Sequence, residues 1–155
     1  MKRCPRCGGA LEAATLERLS AEEPPVKLDV QGMPAKRCPN GHAAPFDEDF
    51  MLWLIRELKE RAGQLESATE KGALFMKKYQ CQCGKPLGAR PERRSAVPLE
   101  LAYESGPPFK AQLEMPFFRC ESCGKELLGS SRQAQKQVAL AVARLNDVAG
   151  FPHSG

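Results

Sequence analysis

Eight side chains with metal-ligating chemistry fall into four close groups along a chain of 155 residues. That spacing constrains the fold more than any other feature. Cys4-x-x-Cys7 and Cys120-x-x-Cys123 are four-residue knuckles, Cys81-x-Cys83 is one residue shorter, and Cys38-Pro39-Asn40-Gly41-His42 ends on an imidazole. A short loop can aim two ligands at one ion, and two such loops complete a tetrahedron with bonds of about 2.0–2.3 Å. Cys4, Cys7, Cys38 and His42 supply one centre, and Cys81, Cys83, Cys120 and Cys123 a second. Two zinc ions per chain are therefore expected as cofactors. Seven cysteines cannot all pair within the chain, so a complete disulfide framework fails on arithmetic. The short Cys81–Cys83 loop departs from the usual knuckle and predicts a distorted first turn. Four thiolates also suit iron, and Cys81 with Cys83 also suits a redox dithiol; both remain rivals at the second set, whereas His42 argues against iron at the first.

The remaining composition explains why such staples are needed. Val, Ile, Leu, Met, Phe, Trp and Tyr together make only 39 of the 155 residues, lean for a core, and modules of roughly 60–80 residues usually need metals, disulfides or association to be stable. No apolar run approaches the ~20 residues of a membrane span, and Met1-Lys2-Arg3-Cys4-Pro5 does not resemble a secretory signal. A cytoplasmic chain with reduced cysteines and no membrane partner is expected.

Self-similarity organises the chain. Cys7-Gly8-Gly9-Ala10-Leu11 matches Cys83-Gly84-Lys85-Pro86-Leu87 as C-G-x-x-L, and Met33-Pro34-Ala35-Lys36-Arg37-Cys38 matches Met115-Pro116-Phe117-Phe118-Arg119-Cys120 as M-P-x-x-R-C. Two matches in the same order, each abutting ligands, point to tandem related modules. The expected boundaries are 1–62 for the first module, 63–74 for a linker or frayed helix, 75–150 for the second module and 151–155 for a tail that contains His153. Val26, Leu28 and Val30 alternate as a strand does, as do Val97, Leu99, Leu101 and Tyr103, and Phe109 through Phe117. Turns are expected at Glu22-Glu23-Pro24-Pro25, Gln31-Gly32 and Ser105-Gly106-Pro107-Pro108. A helix then closes each module. The first starts at the acids Asp47-Glu48-Asp49, carries Met51, Leu54, Ile55, Leu58 and Ala62 at helical spacing, and stops at Gly63. Ser130 and Gln133 have the capping-box form before the second, whose stripe is Ala134, Val138, Ala141, Val142, Leu145 and Val148. The fold class is α+β, two zinc-ribbon-like modules, each with a small antiparallel sheet and a helix.

Cys4-Pro5-Arg6-Cys7-Gly8-Gly9, the segment Val26-x-Leu28-x-Val30-x-Gly32-Met33-Pro34-Ala35 and the second ligand pair before an acidic-capped helix resemble the YgiT-type zinc finger, the zinc-binding half of MqsA-like antitoxins. The likeness covers roughly residues 1–60 and, more loosely, 79–148. It implies a zinc-held sheet with a following helix that engages protein partners. The Cys38 to His42 spacing departs from the family's usual C-x-x-C, and a second ribbon stands where the family has a helix-turn-helix domain, so operator binding is not carried over.

Catalysis is not expected, because both centres are closed by four protein ligands, whereas a hydrolytic zinc keeps an open position for water. No H-E-x-x-H, P-loop or nucleophile elbow is present. Two functions remain. Phe50-Met51-Leu52-Trp53-Leu54-Ile55 is apolar for six residues, too many for one helical face, so Phe50, Leu52 and Trp53 are left for the second module or for another chain. A protein-interaction adaptor or regulator follows, with another protein or self-association as the partner. The alternative is nucleic-acid binding through Lys2, Arg3, Arg6, Lys36, Arg37, Arg90, Arg93 and Arg94 around the knuckles. The charge balance weakens that alternative. Seven thiolates and two zinc ions turn the formal +4 of the chain into about +1. Elemental analysis of reductively purified protein is expected to give two zinc ions per chain; a value near zero contradicts the assignment.

Overall fold

The computed structural model describes residues 3–4, 6–42, 46–71, 78–88 and 90–148. Lys2, His153 and the tail, together with the part of the expected linker from residue 72, lie outside them. The strands β1 (Glu12–Glu23) and β2 (Val26–Arg37) form a hairpin that turns at Pro24-Pro25 and keeps one register from Glu12↔Arg37 to Glu23↔Val26. After the helix α1 (Glu48–Gly63), the short strands β3 (Thr69–Lys71) and β4 (Lys78–Gln80) pair with each other. A second hairpin follows, β5 (Arg93–Leu101) with β6 (Phe109–Arg119), turning through the expected Ser105–Pro108 segment. β7 (Glu126–Leu127) adds to the end of β6, and α2 (Ser131–Ala143) and the single turn α3 (Leu145–Val148) complete the order.

The α+β class and the antiparallel pairing are as expected, but the sheets are not separate. β2 pairs with β6 from Lys27↔Glu114 to Gln31↔Lys110, so the strands run β1-β2-β6-β5 in one sheet. The reason lies in the side chains. Val26, Leu28 and Val30 of β2 and Ala111, Leu113 and Met115 of β6 are all buried in one cluster, a continuous apolar surface that neither hairpin supplies alone.

Nor does each helix stay on its own hairpin. α2 lies against β1 and β2, and α3 against β1. In return α1 turns Phe50 and Trp53 towards the second hairpin: Phe50 meets Tyr103 edge-on at 5.1 Å, and Trp53 lies tilted against Tyr103 at 5.0 Å and edge-on to Phe109 at 6.2 Å. The helix expected to close the first module thus packs into a shared core, where Met51, Leu54 and Leu58 sit with Val138, Ala141 and Val142 of α2. α1 and α2 pack directly on one another.

Other expectations need local correction. Residues 12–23 carry no strand signal in the sequence, since Glu, Ala, Leu and Arg favour helices; the ladder to β2 overrides that propensity. Gln31-Gly32 is no turn but lies inside β2, where Gly32 takes φ +75° and the buried positions shift from Val26, Leu28 and Val30 to Met33. Asp47 makes no side-chain cap at α1; its carboxylate pairs with Lys36 at 3.3 Å. Glu66 to Lys71 is not linker: the Ala68 amide donates to the Leu128 carbonyl, the Leu128 amide donates to Glu66, and β3 begins at Thr69. The Ser130 cap is as expected, with its hydroxyl accepting from the Gln133 amide at 3.2 Å. Val148, placed in the apolar stripe, is 52% exposed.

Because the core is shared, the halves should unfold together. Leu113→Ala, at a side chain 1% exposed between the two hairpins, is expected to cost about 2–5 kcal/mol. In urea it should move the transitions read by Trp53 fluorescence and by circular dichroism by the same amount; a fluorescence transition left in place contradicts a common core.

Candidate metal centres

Each hairpin has its open end bracketed by candidate ligands. Cys4 and Cys7 precede β1 and Cys38 and His42 follow β2; Cys81 and Cys83 precede β5 and Cys120 and Cys123 follow β6. Since β2 and β6 run antiparallel side by side, the two sets lie at opposite ends of the sheet. The structure brings together both sets expected from the sequence: the ligand atoms of Cys4, Cys7, Cys38 and His42 lie within 4.8 Å of one another, as do those of Cys81, Cys83, Cys120 and Cys123.

The distances match a tetrahedral site. His42 Nδ1 lies 3.6 Å from Cys4 Sγ and 3.4 Å from Cys38 Sγ, and Cys7 Sγ lies 3.6 Å from Cys38 Sγ. In the second cluster Cys81 and Cys123, and Cys83 and Cys120, each stand 3.6 Å apart. Bonds of about 2.3 Å from a central ion place tetrahedral sulfurs about 3.8 Å apart, whereas a disulfide needs about 2.05 Å. Soft donors of this kind suit zinc or iron and exclude calcium and magnesium, which take oxygen ligands.

The knuckle backbone explains how the chain reaches this geometry. The Cys4 amide donates to the Gly9 carbonyl and the Gly8 amide donates back to Cys4; Cys120, Lys125 and Gly124 repeat the arrangement. Around Cys38 and Cys81 both bonds close one residue sooner: Cys38 donates to His42 and Gly41 donates to Cys38, while Cys81 donates to Lys85 and Gly84 donates to Cys81. The expected distortion at Cys81-x-Cys83 is therefore a regular shorter turn, used once in each cluster. Gly8, Gly41, Gly84 and Gly124 all have φ between +73° and +97°, a region where a side chain would be strained.

Electrostatics sharpen the case for a cation. The Asn40 side-chain amide, then the Gly9 backbone and His42, draw the Cys7 thiol down to about 6. Backbone hydrogen bonding at Cys123 draws Cys120 down to about 6. Burial pushes Cys38 up. At Cys81 the Cys83 amide pulls down, but burial and the hydrogen bonds with Cys83, Cys123 and Cys120 outweigh it and push the thiol to about 12. Sulfurs this close cannot all ionise unaided; a dication between them removes the conflict.

The surroundings of the clusters differ. The second has its own small core, in which Cys81 and Cys120 are buried with Ala68, Phe118 and Leu127 beside Tyr79 and Leu87. At the first, the Arg6 amide donates to Cys4 Sγ at 3.4 Å and Asn40 Nδ2 donates to Cys7 Sγ at 3.4 Å. Asn40 is a site residue the sequence analysis missed. Aligning the glycines of Cys38-Pro39-Asn40-Gly41 and Cys81-Gln82-Cys83-Gly84 places it on Cys83, and that signal was available.

The other candidates are dispersed. Phe50 is buried and Trp53 half-buried in the aromatic cluster, while Leu52 is 56% exposed. Arg3 donates to the Gly8 carbonyl at 3.2 Å, Lys36 pairs with Asp47, and Arg94 pairs with Glu114 at 2.9 Å. Arg6 and Arg37 are exposed near the first cluster. Arg90 and Arg93 line a depression near the second, with Arg119 and the acids Glu92 and Glu121. Among the described residues no helix is long and apolar enough to cross a membrane. Comparison of the chain with family models, curated proteins and solved structures found no match.

Proposed function

We propose that this is a non-catalytic protein held by two structural zinc ions, built from two related zinc-ribbon modules of the YgiT kind fused through one sheet, and acting as an adaptor or regulator that binds another protein. The observation that carries the reading is the pair of closed four-ligand clusters with tetrahedral edge lengths. Zinc is favoured over iron because imidazole completes the first site, and the related second module is read with the same metal. The recurring order of knuckle, hairpin, knuckle and helix supports the tandem relation. Four protein ligands at each centre leave no position for a substrate, which supports a role without catalysis.

Protein binding is favoured over nucleic acid by the distribution of charge. Among the described residues, the basic side chains named from the sequence are split between opposite ends of the sheet, Lys36 and Arg94 are held in ion pairs, and acids interrupt the Arg90–Arg93 depression. Leu52 is the apolar side chain of α1 left in solvent, beside Asp49, Trp53, Arg56, Tyr103 and Glu104. Zinc-loaded protein immobilised on a support should retain a protein partner from source cells, and Leu52→Glu should lose it with zinc content and circular dichroism unchanged. Retention of nucleic acid, released by nuclease and by raised salt, would instead establish the alternative.

A further inference from the structure

The shorter knuckles of the two centres share one backbone design but assign their ligands differently. In both, the amide of the first ligand bonds to the carbonyl four residues on, and a glycine three residues on donates back, with φ +84° at Gly41 and +97° at Gly84. Two residues after the first ligand stands Cys83 in one loop and Asn40 in the other. Cys83 brings its sulfur 3.6 Å from Cys120. Asn40, from the matching place, brings Nδ2 to 3.4 Å from Cys7 Sγ. The place is thus aimed into the cluster in both loops. In the first it delivers an N–H donor rather than a ligand, and ligation passes to His42 two residues later.

We propose that Asn40 is a positioning residue of the first centre: it occupies a ligand place, donates a hydrogen bond to the Cys7 sulfur, and so sets that centre as three thiolates and one imidazole. This rests on the two-zinc reading. The chemistry is direct. Cys7 is the exposed cysteine of its cluster, whereas Cys4 and Cys38 are buried, so it is the ligand that water, chelators and electrophiles reach. An N–H donor on a metal-bound thiolate withdraws electron density from sulfur, lowers its nucleophilicity and fixes its direction, as outer-shell donors do elsewhere. In the second centre the same place holds Cys83, so four thiolates surround that ion and the added negative charge has no counterpart at the first.

Two variants of the full-length, zinc-loaded protein test this. Asn40→Ala should still take up two zinc ions at saturation, but one of them should be held about 10–100-fold more weakly against a competing chelator. Cys7 in that variant should be alkylated by iodoacetamide several-fold faster than in wild type, with Cys83 and Cys123 unchanged, as read by mass spectrometry. Independently, His42→Ala should hold one zinc tightly, and Asn40→Cys combined with His42→Ala should hold two, with the cobalt-substituted protein showing only four-thiolate absorption bands. An Asn40→Ala protein that matches wild type in both affinity and alkylation overturns the proposal, as does a double variant that folds and stays at one zinc. Wild-type protein that fails to bind two zinc ions would overturn the structural-zinc reading itself, whatever Asn40 does.

Discussion

Thiolates crowded to 3.6 Å repel one another, and the structure twice places four soft donors within 4.8 Å. Without a cation the sulfurs ionise unequally: backbone hydrogen bonding at Cys123 draws Cys120 down to about 6, while at Cys81 the pull of the Cys83 amide is outweighed by burial and the neighbouring sulfurs, which push the thiol to about 12. With a dication at the centre the same crowding becomes attraction, and the ends of each hairpin are tied across a loop of some thirty residues or more. On the two-zinc reading proposed above, the rest of the fold depends on that tie, because a two-stranded hairpin is marginal in water and the large hydrophobes are few.

The tied ends are then used jointly. Leu28 and Val30 of one hairpin and Ala111 and Leu113 of the other close a single sheet, and the helices reach across it: α2 to β1 and β2, and α1, through Phe50 and Trp53, to Tyr103 and Phe109. The antiparallel β2–β6 seam puts the two centres at opposite ends. Each cluster stands at a different end of one core rather than in a module of its own. The exchange also accounts for the long apolar run of α1, which has to serve both α2 and the second hairpin; Leu52 alone of its three surplus side chains is left largely in water.

The two clusters were legible because metal-ligating chemistry calls for particular side chains at fixed short spacing, and the helices because amphipathic periodicity and the Ser130 cap are local signals. The strand at residues 109–117 was equally plain from its alternation. β1 was not, since its residues prefer a helix and only the ladder with β2, a long-range contact, selects the strand. The union of the sheets and the exchange of helices were likewise invisible, because the faces of Val26–Val30 and Ala111–Met115 look the same whether they meet each other or a separate partner. Asn40 was hidden for a different reason. The repeat sets Cys38 against Cys120, whereas the two short loops, which share a glycine of left-handed conformation at 41 and 84, stand second in one module and first in the other, so the likeness of Asn40 to Cys83 crosses the repeat.

The claim that the metals hold this fold is tested most directly by titrating a chelator into the zinc-loaded chain while following released zinc, far-ultraviolet circular dichroism and Trp53 fluorescence together. Zinc binding worth on the order of 10–16 kcal/mol per site matches or exceeds the 5–15 kcal/mol typical of a whole domain. The account predicts that helix and strand signals collapse as zinc leaves and return when zinc is restored under reducing conditions. Circular dichroism and fluorescence that stay native after both ions are gone would contradict it.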